Sequence, residues 1–143
     1  MPRHVLVAMD YSEQSKAALR KALEDFPEAE ITALHVIDFR SSDMGPSGFG
    51  TANAWEDWIG DAREHARELL SEAESVAGEY DREITTEIDV GEDTGSILDY
   101  VGEHDVDHVY IGSHGRHGVA RVLLGSVAET VVRRAPVPVT VVR

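Results

Sequence analysis

Short apolar runs alternate with helix-forming segments along this 143-residue chain, and that alternation restricts its fold more than any other feature. Residues 5–9 are continuously apolar, as expected of a strand buried on both faces. Further strands are predicted at 31–37, 83–90, 106–112 and 137–142. Strands that alternate with helices indicate an α/β fold, in which right-handed crossovers place helices on both faces of a parallel sheet.

The predicted helices begin near side chains that cap helix N-termini. We expect Asp10 or Ser12 to cap the first helix, Thr94 or Ser96 a short third helix, and Ser126 the last helix. These positions fix where each strand gives way to a helix.

A Gly/Ser/Pro-rich segment at 38–53 precedes a long amphipathic helix. A segment of this length without predicted structure is usually functional or disordered. Trp55 and Trp58 continue the apolar stripe of the long helix, so we expect them to anchor the core. A lid or a partner surface is the alternative.

Charge is distributed unevenly along the chain. The net charge is −14, with 27 acidic residues, yet residues 108–143 contain five arginines and a single acid, Glu129. An acidic surface poor in lysine is typical of a salt-adapted protein, because salt screens its self-repulsion. Nucleic-acid binding is disfavoured because it requires a broad basic face.

Several other classes of protein are disfavoured by features that the sequence lacks. Without cysteine it has no disulfide, thiolate nucleophile or cysteine metal site. No apolar run reaches the roughly 18 residues of a membrane span, and no signal-peptide pattern is present at the N-terminus. We therefore expect a cytoplasmic protein without a membrane segment, and the length suits one domain, 1–143.

The most informative motif follows the fourth predicted strand. Gly112, Gly115 and the pair Gly125 and Ser126 have the spacing Gly-x2-Gly-x9-Gly-Ser. Glycine lets the backbone approach an anion closely, and the free amides at a helix N-terminus carry partial positive charge. This pattern predicts a phosphate site, with an ordinary turn as the alternative for the loop glycines.

Asp10 is the candidate carboxylate for the same site. If the first and fourth strands are neighbours, Asp10 and Gly112 face one crevice, because ligands bind where the winding of such sheets reverses. A helix cap without a ligand role remains the alternative for Asp10. Ser126 could cap its helix, contact a phosphate or do both, and Arg116 is either a phosphate partner or a solvated arginine.

Several kinds of active site are disfavoured. His114 and His117 lack identifiable further ligands, so we predict no metal site. The Gly-x-Ser-x-Gly nucleophile motif, the P-loop and a Gly-x-Gly-x-x-Gly motif after the first strand are all missing. We therefore assign no catalytic residue.

Taken together, these segments resemble the universal stress protein family, in its single-domain ATP-binding type, over essentially the whole chain. The resemblance rests on VLVAMDYSE at 5–13, ALHVID at 33–38, the glycine motif with its SVAE continuation to 129, and APVPVTVV at 135–142. It implies a three-layer fold with an open five-stranded parallel sheet in the order 3-2-1-4-5, similar to adenine-nucleotide alpha-hydrolase-like and flavodoxin-like folds. It also implies a homodimer formed through strand 137–142.

The same resemblance implies a set of nucleotide contacts. Asp10 and the backbone of Ala8 and Met9 would lie against the adenosine, and the Val36 backbone would hydrogen-bond the adenine. The contacts to ribose and phosphates would come from Gly112, Gly115, Arg116, Gly125, Ser126 and Val127. Because the residue beside the second glycine varies within the family, the resemblance supports Arg116 less strongly than it supports the glycines. We expect Mg²⁺ or another cation to accompany the anionic ATP.

The sequence therefore predicts an ATP-binding stress-response or signalling protein that changes its contacts with an unidentified protein partner. One alternative is a slow ATPase or phosphotransferase at the same site, although the sequence designates no base or electrophilic clamp. Another is a dimeric interaction module that binds no nucleotide. It would act through its last strand, whose apolar terminal sequence predicts an unprotected sheet edge.

Overall fold

All five predicted strands form one parallel sheet. The structure, a computed structural model, describes residues 2–41, 52–113 and 124–143. The strands are β1 (His4–Ala8), β2 (Glu30–Ile37), β3 (Thr85–Val90), β4 (His108–Gly112) and β5 (Val139–Val142). Every neighbouring pair is parallel, and the order is β3-β2-β1-β4-β5. The predicted α/β fold and strand order are therefore confirmed.

Helices cover both faces of this sheet. They are α1 (Glu13–Asp25), α2 (Ala52–Glu79), α3 (Asp93–Glu103) and α4 (Ser126–Arg134), with a short 3-10 helix at Phe39–Ser41. The buried side chains of α1 and α2 share one core cluster, and those of α3 and α4 share another. Within the described ranges, no helix is both long and apolar enough to cross a membrane.

β1 shows why the first apolar run is continuous. Val5 and Val7 face the cluster beneath α1 and α2, whereas Leu6 faces the cluster beneath α3 and α4. All three side chains have no exposed surface. Because β1 lies in the centre of the sheet with helices on both sides, neither of its faces tolerates a polar residue.

Three strands begin two residues later than the apolar pattern predicts, at Thr85, His108 and Val139. The amide of Val106 donates to the Val101 carbonyl at 3.3 Å, so this residue belongs to the turn after α3. Pro138 has no amide hydrogen, although its carbonyl accepts from the Val109 amide at 3.0 Å. The apolar pattern therefore begins before the points where regular strand pairing starts.

Helix capping follows the prediction at α1 but not at α3. Ser12 is the N-cap of α1, and its hydroxyl oxygen accepts from the Ser15 amide at 3.2 Å. α3 starts at Asp93, directly after Glu92, and has no side-chain cap bond. The prediction of a cap at Thr94 or Ser96 is therefore wrong, because the helix begins upstream of both residues.

The tryptophans of α2 lie outside the core. The buried stripe of α2 starts at Ala66, whereas Trp55 and Trp58 are only partly buried. Their ring centroids are 5.6 Å apart, and Trp55 lies 6.1 Å from the ring of Phe39, which is 43% exposed. The prediction of core anchors is therefore wrong, and the three rings form an aromatic cluster that includes a ring from just after β2.

Candidate functional site

The carboxyl ends of β1 and β4 lie side by side at the point where the winding reverses. β1 pairs with β4 from Val5 with His108 to Val7 with Tyr110. The helix that follows β1 covers one face of the sheet, and the helix that follows β4 covers the other. Doubly wound sheets bind ligands at such a switch point, so this crevice is the candidate site.

The segment that leaves β1 forms a tight polar turn at Asp10. One carboxylate oxygen of Asp10, Oδ1, accepts from the Ser12 amide at 2.8 Å and also from the Ser12 hydroxyl. The backbone carbonyl of Asp10 accepts from the Ser15 hydroxyl at 2.9 Å. The second carboxylate oxygen, Oδ2, receives no donor from the described residues, and Asp10 is only partly buried. Asp10 thus supports the start of α1 and keeps one oxygen available.

Gly112 ends β4 directly against the first turn of α1. A Cβ at this position would lie 2.8 Å from Gln14 Cβ, 2.9 Å from the Gln14 carbonyl carbon and 3.0 Å from the Ser15 amide nitrogen. Side chains essentially never approach a helix backbone this closely, so glycine is required here for packing. This requirement is independent of any ligand.

The next two predicted contacts, Gly115 and Arg116, lie outside the described residues, as do His114, His117 and Arg121. The structure resumes at Leu124, and the Gly125 amide donates to the Ser113 carbonyl at 2.5 Å. In turn, the amide of the buried Ser113 donates to the Val142 carbonyl at 2.7 Å. These bonds fix the start of α4 to the carboxyl ends of β4 and β5.

The N-cap of α4 is Gly125 rather than Ser126, which is the first helical residue. Gly125 has extended backbone angles, φ −68° and ψ 162°, and no side-chain bond caps the helix. The Gly125 carbonyl accepts from the Glu129 amide at 2.9 Å, which is the first bond of the helix. The amides of Ser126, Val127 and Ala128 therefore have no acceptor within the helix. An uncapped N-terminus of this kind attracts an anion.

Across the crevice, β2 extends beyond the end of β1. The β1–β2 register ends with Ala8 opposite Leu34, and the Met9 amide then donates to the Leu34 carbonyl at 2.8 Å. In a strand, every second residue directs its backbone amide and carbonyl to the same side. Leu34 directs them toward β1, so Val36 does the same, beyond the last β1–β2 pair. They have no β1 residue opposite them in the register.

Two residues near this edge were missed by the sequence reasoning. His35 is 8% exposed and lies between the Leu34 and Val36 positions. Asp38 follows β2, and its carboxylate oxygens lie 2.7–3.0 Å from the Arg40 backbone amide and guanidinium and 3.2 Å from the Asp93 amide. The ion pair with Arg40 lowers the pKa of Asp38. An Asp-x-Arg sequence directly after a strand was the available signal for this link between β2 and α3.

No cluster suited to a metal ion occurs in the part of the chain that the structure describes, where three or more His, Asp or Glu side chains never converge. The crevice instead offers backbone amides at α4, a backbone edge at Val36 and one carboxylate oxygen at Asp10. This combination of donors and acceptors suits a ligand that carries both an anionic group and a polar ring.

The whole chain, residues 1–143, matches the model of the universal stress protein family. It is 30% identical to universal stress protein MJ0531 of Methanocaldococcus jannaschii over 99% of this chain and 82% of that protein. The solved structure of universal stress protein UspA from Lactobacillus plantarum superposes with a TM-score of 0.83 and 28% identity, covering 98% and 97% of the two chains. The universal stress protein from Archaeoglobus fulgidus in complex with dAMP superposes with a TM-score of 0.68 and 25% identity, covering 97% and 96%.

Proposed function

Because the chain belongs to the universal stress protein family, we propose that it binds ATP between the carboxyl ends of β1 and β4 and holds the nucleotide without turning it over rapidly. One observation carries the proposal: the uncapped N-terminus of α4 lies at the switch point of the sheet, tied to the end of β4 by the bond from Gly125 to Ser113. The Archaeoglobus relative that was crystallised with dAMP supports an adenine nucleotide as the ligand.

The adenosine half of ATP would lie against the carboxyl ends of β1 and β2. The Val36 amide and carbonyl supply one donor and one acceptor, which suits the edge of an adenine ring. The available oxygen of Asp10 can accept from a ribose hydroxyl, and the backbone of Ala8 and Met9 forms the floor beside it. The Val36 backbone groups have no partner in the β1–β2 register, and Asp10 Oδ2 has none in the turn that begins α1.

The phosphates would lie against the first turn of α4. The amides of Ser126 and Val127 face no helical acceptor, and the Ser126 side chain is exposed. The amide of Gly125 is already donated to Ser113, so Gly125 would contribute the space left by its missing side chain. From the sequence we add Gly115 and Arg116 to this half of the site, with Mg²⁺ as the accompanying cation.

We favour binding over hydrolysis because the described crevice offers little catalytic machinery. Asp10 is the carboxylate that the described residues bring to the crevice, and its Oδ1 already accepts two bonds from Ser12. Rapid phosphoryl transfer would require an oriented water or base and a cationic clamp. A holding role fits a protein whose contacts with partners change with its bound nucleotide.

ATP binding is tested most directly by thermal unfolding in high salt. At 100 times its Kd, ATP should add about 2.7 kcal/mol to the free energy of unfolding. Gly125→Val should fold, because its backbone angles are open to any residue, but should lose the ATP effect because the side chain crowds the α4 amides. A wild-type protein that shows no shift at millimolar ATP, and that releases no adenine nucleotide on acid extraction, would refute the proposal.

We also propose that β5 pairs with a second copy of this chain. β5 lies at one edge of the sheet, and Val132 nearby in sequence is 44% exposed. The Pro138 carbonyl accepts from the Val109 amide of β4, and the Val142 carbonyl accepts from the Ser113 amide just after β4. The backbone groups of the intervening residues Val139 and Val141 therefore face the open edge. A symmetric dimer would pair this unprotected edge.

The dimer is tested by sedimentation of Val141→Pro. This change removes an amide hydrogen on the open side of β5 and leaves the bonds to β4 in place. We expect wild type to sediment as a dimer and the variant as a folded monomer. A monomeric wild type, or a variant that remains dimeric, would contradict pairing through β5.

A further inference from the structure

His35 is a buried histidine beside the proposed nucleotide crevice. Its side chain is 8% exposed, and its Nδ1 lies 2.8 Å from the Met9 carbonyl oxygen. A carbonyl oxygen can only accept, so Nδ1 must carry the hydrogen and donate it. In the neutral ring this leaves Nε2 without a hydrogen.

The surroundings of His35 favour this neutral form. Burial lowers its pKa, and the hydrogen bond to Met9 and then the carboxylate of Asp10 oppose that effect to a smaller degree. The ring of Tyr11 meets the imidazole edge-on, with centroids 5.3 Å apart. No acceptor among the described residues faces Nε2, so a second ring hydrogen would be left unpaired there.

The Met9 carbonyl belongs to the peptide that joins Met9 to Asp10. β1 has ended at Ala8, so this carbonyl has no place in the regular β1–β2 ladder. The Met9 amide is bonded to Leu34, and its carbonyl is bonded to the side chain of His35. Two adjacent residues of β2 therefore hold both polar groups of Met9, immediately before the Asp10 turn begins.

This clamp lies between the two groups that the proposed function assigns to adenosine. Asp10 follows the clamped peptide on one side, and Val36 follows His35 on the other. Because a peptide unit is planar, fixing its carbonyl also fixes the direction in which the chain continues to Asp10. The separation of the Asp10 carboxylate from the Val36 backbone then depends on the bond from His35.

We propose that His35 is a positioning residue of the nucleotide site, whose Nδ1–H holds the Met9 peptide so that Asp10 and the Val36 backbone are spaced to receive one adenosine. This inference rests on the proposed function, since it explains how that site keeps its geometry. His35 itself touches no ligand in this arrangement. It acts through Met9.

The test measures ATP affinity by calorimetry for wild type and for His35→Leu, His35→Asn and His108→Leu, at a temperature where each is folded. His35→Leu removes the donor, whereas His35→Asn places an amide nitrogen at the Nδ1 position and can still donate to Met9. We expect Leu to raise the Kd for ATP about tenfold, the size of one lost positioning hydrogen bond, and Asn to restore most of the affinity.

His108→Leu is the matched control. Like His35, His108 is bonded through its ring, with Nε2 2.8 Å from Thr140 Oγ1. It is partly buried and lies at the opposite end of the sheet, where β4 begins. Its loss should lower the melting temperature and leave the Kd for ATP unchanged. If His35→Leu does not fold, His35→Gln replaces it, because the longer side chain displaces the amide from Met9.

The possible failures are distinguishable. A wild type that binds no ATP refutes the proposed function. If wild type binds and His35→Leu binds equally well, the positioning role is refuted while the proposed function stands. The same conclusion follows if His35→Asn binds as weakly as His35→Leu, or if His108→Leu weakens binding as much.

Discussion

Replacing Gly112 by alanine should destabilise the protein even when no nucleotide is bound. The added Cβ would lie 2.8 Å from Gln14 Cβ and 2.9–3.0 Å from backbone atoms of Gln14 and Ser15. Since two of these three atoms belong to the helix backbone, a side-chain rotation cannot relieve the overlap. The first turn of α1 must move away from β4. Overpacking of this kind costs about 1–3 kcal/mol.

The expected change in melting temperature is large enough to measure by calorimetry without ligand. At about 4 °C per kcal/mol for a chain of this length, the melting temperature of Gly112→Ala should fall by roughly 4–12 °C. Moving α1 also disturbs the bond from Ser15 to the Asp10 carbonyl, so the proposed stabilisation by ATP should shrink as well.

Gly60→Ala provides the opposite control. Gly60 lies within α2, and a Cβ there would meet no atom within 4 Å. Alanine should therefore raise the free energy of unfolding by up to about 1 kcal/mol through its higher helix propensity. If Gly112→Ala has the same melting temperature as the wild type but loses its response to ATP, glycine is needed at position 112 only for the ligand and the packing argument is wrong.

Three further predictions concern pH, salt and the Asp38 link. Burial lowers the pKa of His35 and of His108, so their contribution to stability should be complete above about pH 6.5 and lost as the pH falls through the lowered values. In high salt, the stability advantage of wild type over His35→Asn should thus shrink between pH 7.5 and 5.5 in urea titrations, and an advantage that grows would contradict this sign. Because the net charge is −14, the urea midpoint at neutral pH should rise from low salt to about 1 M KCl, and an unchanged midpoint would argue against self-repulsion. Asp38→Asn should lower the free energy of unfolding by about 1–3 kcal/mol, since a nearly buried carboxylate loses its charge opposite Arg40 and Asn has one acceptor oxygen where Asp38 uses two. A change below a few tenths of a kcal/mol would show that the link is dispensable.

The sequence predicted those parts of the fold that depend on local pattern. The continuous apolar run in β1 identified a strand buried on both faces. The end of α1 is also local, because its C-cap Phe26 is followed by Pro27, which cannot continue a helix. The strand order came from the family resemblance, because apolar periodicity does not state which strands pair. The starts of β4 and β5 were misplaced, since the apolar side chains of Val106 and Val137 precede the first residues of the two strands.

The errors at the site have a common physical cause, which is contact between distant parts of the chain. Gly112 must be glycine because of Gln14, which lies far away in sequence, and the sequence suggested only a turn or a ligand for it. His35 is informative through its bond to Met9, 26 residues earlier. Ser126 satisfies the preference for a capping residue, but the Gly125 carbonyl accepts the first helix bond, from the Glu129 amide, so Gly125 is the cap instead.

Ser113 takes part in two backbone bonds that serve different structures. Its amide donates to Val142, the last residue of the edge strand β5, and its carbonyl accepts from Gly125, the N-cap of α4. A shift of α4 by a fraction of an ångström would therefore strain the anchorage of β5, with no intervening side chains to absorb the movement. If a second copy pairs along β5 and a nucleotide binds at α4, both act on Ser113. Any change that one causes in the affinity of the other must then be matched by an equal factor in the reverse direction.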